Sequence, residues 1–140
     1  MSTANKTTAE LLETLDDFTR AYLEAAFWAE TDNSTDNGGN PIEDNYNFDD
    51  LDPDSLAFAI DDCRRFQEEN AADLALYSHR QWSAAELGGH DFWMTRNGHG
   101  CGFWDRDDCL PKDAGERLTA AAKKWGEKCI DVYDNTVYIN

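Results

Sequence analysis

The chain has 140 residues, which suits one domain, and 41% of them are hydrophobic, enough for a core and too many for wholesale disorder. Its net charge is −17, from 29 acids against 12 bases, which repels nucleic acid and anionic membranes and favours cationic partners. No stretch approaches the ~20 apolar residues of a membrane span, and the polar opening MSTANKTTAE lacks a signal peptide's apolar run. The expected location is therefore the cytoplasm, with Cys63, Cys101, Cys109 and Cys129 as thiols.

The first helix is expected from about Thr8 to Glu30, capped by Thr7 or Thr8 with Glu10 in its first turn. Leu11, Leu15, Phe18, Tyr22 and Ala25 or Ala26 recur at spacings of four and three, an apolar stripe that predicts burial. Glu10, Glu13, Asp17 and Glu24 share another face, with Arg20 among them. Residues 31–51 read as a long polar link pinned by Ile42, Tyr46 and Phe48. A calcium-loop template fits Asp32, Ser34, Asp36 and Glu43 at positions one, three, five and twelve. Asn37, Gly39 and Pro41 break it, so a solvated acidic loop is the better reading and no cofactor is expected.

Asp52 and Pro53 start a second helix that ends near Asn70, with Leu56, Ile60, Cys63 and Phe66 inward. Asp54, Asp61 and Glu68 repeat every seven residues on its outside, beside Asp62 and Glu69. A short helical stretch is expected within residues 71–80, and SAAELGG reads as one capped turn closed by glycine.

The string that follows, TRNGHGCGFWDR, predicts a hairpin, because Asn97-Gly98 is a strong signal for a turn with two positive φ angles. In that register Arg96 pairs with His99, Met94 with Cys101 and Phe92 with Phe103. Trp93 lies opposite Gly102, and His90 meets Asp105 at the open end. A metal-dependent hydrolase or nuclease would use His90, Asp91, Asn97, His99 and Asp105, but His90 and His99 would then lie ~20 Å apart. A zinc set of His99, Cys101 and Cys109 lacks a recognisable spacing. A third helix from about Lys112 to Lys128 precedes a second hairpin, with Asp134-Asn135 at the turn and Ile130 and Val132 paired with Ile139 and Val137.

The sum is an α+β chain read as one domain over 1–140, with about three main helices packed on an antiparallel sheet built from two β-hairpins. It has an acidic helical half, 8–79, and a hairpin–helix–hairpin half, 80–140. Residues 1–79 hold 19 acids and four bases, and residues 80–140 hold ten acids and eight bases. The first helix carries about one acid per ~5 Å of its length, against one phosphate per ~3.4 Å along a DNA strand. Such a surface could occupy the basic cleft of a nucleic-acid-binding protein. Its expected contacts are Glu10, Glu13, Asp17, Glu24, Asp54, Asp61, Glu68 and Glu69, with no catalytic residue and no direct nucleic-acid binding. A structural or assembly role, with acidity only for solubility, is the plainer alternative. Trp93 and Trp104 on the outer face of the first hairpin would suit a homodimer.

GHDFWMTRNGHGCGFWDR, residues 89–106, resembles a string found in small acidic proteins of bacteriophages and related mobile elements. The resemblance extends to FTRAYLEAAFWAETDN, DPDSLAFAIDDCRRF and VYDNTVYI, and so covers most of the chain. It implies a phage accessory protein acting in the host cell, for which a defence or repair enzyme is a natural target. It carries over no catalytic residue, and Cys101 stands where a small apolar residue is expected.

Overall fold

A computed structural model describes residues 6–32, 34 and 39–140. Its class is α+β, with six α-helices and two small antiparallel two-stranded sheets among the described residues. The helices are α1 (Thr8–Leu12), α2 (Asp17–Ala29), α3 (Pro53–Glu69), α4 (Ala71–Leu74), α5 (Ala84–Arg96) and α6 (Lys112–Lys124). One sheet pairs β1 (Thr31–Asp32) with β2 (Asn40–Pro41), and the other pairs β3 (Ile130–Tyr133) with β4 (Thr136–Ile139).

The expected first helix is broken in two. The Thr14 hydroxyl donates to the Leu11 carbonyl, and Asp16 leaves the helix to accept from the Thr19 amide at 2.8 Å as the N-cap of α2. Short polar side chains that bond nearby backbone favour such caps over a helix interior. Burial tends to raise the Asp16 pKa, but the hydrogen bonds from Thr19 and Gln67 outweigh it and hold the group below its ordinary value. A carboxylate lowered in the folded state adds stability that is full above its unfolded value near 4 and fades as pH falls through the folded one. Asp16→Ala is therefore expected to cost about 1 kcal/mol in urea unfolding at pH 7. The gap to the wild type should narrow as the pH falls from about 4 through the lowered folded value.

The larger correction concerns residues 84–105, which form no hairpin. Ser83 and Glu86 make a reciprocal capping box that starts α5, and the helix runs on through Gly88-Gly89 to Arg96. Asn97-Gly98 then ends it. Gly98 takes φ 72°, its amide donates to Thr95, and the His99 amide donates to Met94 at 2.8 Å, the paired bonds of a glycine C-cap. Trp93 is fully buried on α5, and Trp104 lies under Lys123, so the expected outer face with two tryptophans does not exist. His90 and Asp105 do not meet: His90 contacts Asp91, and Asp105 accepts from the Cys101 amide. SAAELGG is the start of a long helix rather than one turn. The stretch after Asn70 gives only α4, and α6 stops at Lys124 before Gly126 at φ 77°.

Other expectations match the structure. α3 starts at Pro53 on an Asp52 cap and buries Leu56, Cys63 and Phe66. β3 and β4 pair Ile130 with Ile139 and Val132 with Val137 across Asp134 and Asn135, both at positive φ. This hairpin docks on the start of α3, where Asp52 donates to Val137 and Ile139 donates to the Ser55 hydroxyl. Ile42 is buried and Phe48 packs edge-on against Phe27, so the long link is pinned as expected.

The centre of the fold is the contact of α2 with α5. Phe18 lies beside Gly88 and Gly89, Tyr22 beside Phe92, and Glu30 beside Trp93 and His99. Contacts that advance together along both segments mean that the helices run parallel. A Cβ on Gly89 would overlap the Phe18 carbonyl, so the closeness of the two backbones requires glycine there. α3 runs antiparallel to α2: its end meets the start of α2, with Gln67 at Asp16 and Phe66 at Phe18, and Arg96 joins Asp62 to Tyr22 one turn on. Phe18, Tyr22, Phe66, Phe92 and Phe103 form the aromatic heart of one continuous core. Arg96 is buried with them, bonded to the Tyr22 hydroxyl, Asp62 and the carbonyls of Trp125 and Gly126.

Candidate functional site

With α3 and α5 packed on it, α2 exposes only Asp17, Arg20, Glu24 and Trp28. At 3.6 residues per turn these four fall within a strip about 80° wide. The strip forms one wall of a cleft of about 640 Å³. Glu86, Leu87 and His90 of α5 form the facing wall, and His79, Trp82, Glu43 and Arg106 close its rim. The size lies within the roughly 300–1,000 Å³ range of ligand clefts. Trp28 and Trp82 are 55% and 52% exposed, so two large aromatic faces meet solvent beside the carboxylates of the cleft.

Each wall has a local cause. His79 Nδ1 accepts from the backbone amides of Gln81 and Trp82, a turn that sets the tryptophan at the rim. The Ser78 amide donates to the Cys109 carbonyl and ties this segment to the chain after the glycine-rich loop. Glu86 is held below the ordinary carboxylate range by hydrogen bonds from the Ser83 backbone and hydroxyl, so it is ionised at neutral pH.

Beneath the cleft lies a buried polar network. Asp91 is fully buried and accepts from two of the three Arg106 nitrogens, Nε at 2.9 Å and Nη2 at 2.8 Å. The Tyr77 hydroxyl donates to the same carboxylate at 2.6 Å, and His90 Nδ1 lies 2.9 Å from Oδ1. Hydrogen bonding to Asp91 raises the Arg106 pKa, and burial first and Asp91 second push the Tyr77 phenol up, so both groups keep their protons. Arg106 Nη2 lies 3.5 Å from the same His90 nitrogen, so the role of Nδ1 as donor or acceptor follows the ring's tautomer. His90 and Asp91 are neighbours on one helix, turned about 100° apart. One therefore reaches the cleft while the other points inward.

No family model matches this chain, and no curated protein or solved structure matches it.

The eight acids expected at the interface fall into separate groups. Asp17 and Glu24 line the cleft. Asp54, Asp61, Glu68 and Glu69 lie on the side of α3 away from its buried stripe of Leu56, Cys63 and Phe66. Glu10 closes the capping box of α1, where the Thr7 backbone and hydroxyl lower its pKa, and Glu13 is the exposed C-cap of the same helix. Asp61 and Glu68 are both bonded to Arg64, and Asp61 also lies 3.9 Å from Arg65, so the outer stripe of α3 is partly neutralised. Asp17 and Glu24 form no ion pair among the described residues.

The residues considered for metal chemistry are dispersed. His99 Nε2 lies 2.7 Å from Glu30, Cys109 is buried, and Cys101 is exposed. Among the described residues no group of three histidine, cysteine or carboxylate ligands is arranged to hold a metal ion. The calcium template's Asp36 and Asn37 lie outside the described residues. No described helix is long and apolar enough to cross a membrane.

Glu86, Trp28, Trp82 and Arg106 carried no functional signal in the sequence. Ser83-x-x-Glu86 did mark a helix start, and Trp28 follows Asp17 and Glu24 on the same face. The cleft itself depends on a pairing between segments far apart in the chain.

Proposed function

We propose that this chain is a non-catalytic binding protein that engages a basic surface of a protein partner through the cleft between α2 and α5. The observation that carries this reading is the cleft's composition. Asp17, Glu24, Glu43 and Glu86 meet two half-exposed tryptophans there, and they outnumber the lining's two arginines, of which Arg106 is already paired with Asp91. Carboxylates attract cations, and indole faces hold them through the ring quadrupole. The molecule's excess charge supports it further. Ion pairs among the described residues engage seven carboxylates of a chain that carries 29 acids. The remainder produce a negative field that steers basic partners toward the molecule.

A partner that normally binds nucleic acid fits this chemistry, and occupying its basic surface would inhibit it. The phage resemblance makes a host defence or repair protein the natural target in this reading.

The test is a titration with a polybasic peptide at two salt concentrations. Affinity is expected to drop at least tenfold between about 50 and 200 mM salt. Asp17→Lys combined with Glu24→Lys should lower it by a further tenfold or so, on the order of 1.4 kcal/mol. Asp61→Lys with Glu68→Lys on the outside of α3 should have the smaller effect. A larger loss from the α3 pair would move the interface to that helix, and undiminished binding by both pairs would leave a passive, solubilising role for the acids. In a gel shift, the chain should also release duplex DNA from the basic partner it recognises; persistence of the DNA complex would refute the inhibitory part of the reading.

A further inference from the structure

We infer that the cleft selects a guanidinium group, the side chain of an arginine presented by a protein partner, over the ammonium of lysine. This rests on the reading that the partner is basic and deepens it by naming the group recognised.

The first ground is the balance of hydrogen-bonding groups. Asp17, Glu24 and Glu86 offer carboxylate oxygens along both walls of the cleft. A ligand that fills such a site must bring several donors at once. Guanidinium carries five N–H donors in a rigid plane and pairs with carboxylates through two parallel bonds. Ammonium brings three donors on a compact, strongly hydrated point charge and loses more water on entry.

The second ground is the aromatic wall. Trp28 and Trp82 both border the cleft, and each leaves about half of its surface in solvent. A flat cation stacks on an indole face with its donors still free at its edges, which a tetrahedral ammonium cannot do. The cleft is much larger than one side chain, so it has room for the peptide backbone on either side of the arginine.

Two peptides of equal length and charge, one with arginine and the other with lysine at every basic position, separate the possibilities. Their binding to the full chain is followed by calorimetry at about 150 mM salt, where exposed charge–charge attraction is screened. The arginine peptide is expected to bind about tenfold tighter, the scale of one desolvated cation–π contact. Trp82→Ala should bring the two peptides level, while Phe58→Ala, on the outside of α3, should keep the preference. Circular dichroism of both variants confirms that each is folded. Equal affinity of the wild type for the two peptides would overturn the selection of guanidinium and leave the basic-partner reading standing. Binding of neither peptide would bring down both. A preference that survives Trp82→Ala would also overturn the inference, because the aromatic wall would not be its source.

Discussion

Gly89→Ala is expected to destabilise the protein by about 3 kcal/mol or more, a drop of roughly 10 °C in Tm for a domain of this size. The added methyl would overlap the Phe18 carbonyl, which belongs to the backbone of α2 and cannot swing aside. Alanine is the better helix former by about 1 kcal/mol, so propensity alone predicts the opposite sign. The overlap wins because relieving it means parting two helices whose aromatic side chains interlock on both sides of the contact. Gly88→Ala provides the internal comparison. Its Cβ would meet the Phe18 ring edge at 2.9 Å, and a ring can tilt. The Gly88 variant should therefore melt well above the Gly89 variant. Thermal unfolding followed by circular dichroism decides it, and a Gly89 variant as stable as the wild type would mean that α2 and α5 do not pack at this distance.

The second large effect is expected at Asp91. Asp91→Ala removes the carboxylate that satisfies Arg106, Tyr77 and His90 together. The guanidinium is left largely buried without its counter-charge, an arrangement that costs about 3–5 kcal/mol when one partner of a buried pair is deleted. Such a loss is a large part of the roughly 5–15 kcal/mol that holds an ordinary domain together. Removing Arg106 as well should recover much of it, because two apolar replacements strand no charge. The comparison is a double-mutant cycle on Asp91→Ala and Arg106→Leu, read by urea unfolding. Losses that simply add would show that the two side chains do not act as a pair.

The parts of the fold that were legible in the sequence are those whose instructions are local. Asp52-Pro53 names the start of α3 wherever the rest of the chain goes. Asp134-Asn135 sits between two short alternating runs, and both residues tolerate positive φ, so the terminal hairpin and its register could be read directly. Asn97-Gly98 misled because its message is ambiguous. The left-handed glycine that turns a hairpin also ends a helix, and the choice depends on what comes before it. The deciding residues were Ser83 and Glu86, a capping box upstream, but Gly88-Gly89 looked like the end of that helix. Glycines inside a helix weaken it unless something needs the space, and that something is Phe18, a residue no local window includes.

The candidate site shows the same limit. Asp17 and Glu24 stood out because helical spacing puts them on one face. Glu86, His90, Trp82 and Arg106 join them only when α5 lies along α2. The outer acids of α3 were equally visible in the sequence, yet Arg64 draws Asp61 and Glu68 to itself, and such exposed pairs contribute little to stability. Charge counted along a chain does not show which carboxylates a neighbour has already claimed.

The parallel contact of α2 and α5 also governs how quickly the molecule can assemble. Phe18 and Gly89 are about seventy residues apart, so the loop between them must close before either helix gains from the other. The terminal hairpin can form within microseconds from neighbours alone. Until α5 arrives, α2 shows solvent an apolar surface around most of its girth. Refolding should therefore have a late, rate-limiting docking step, with losses to association that grow with protein concentration. Mutual repulsion between chains of charge −17 acts against those losses, which gives the acidity a second use during the chain's most exposed moment.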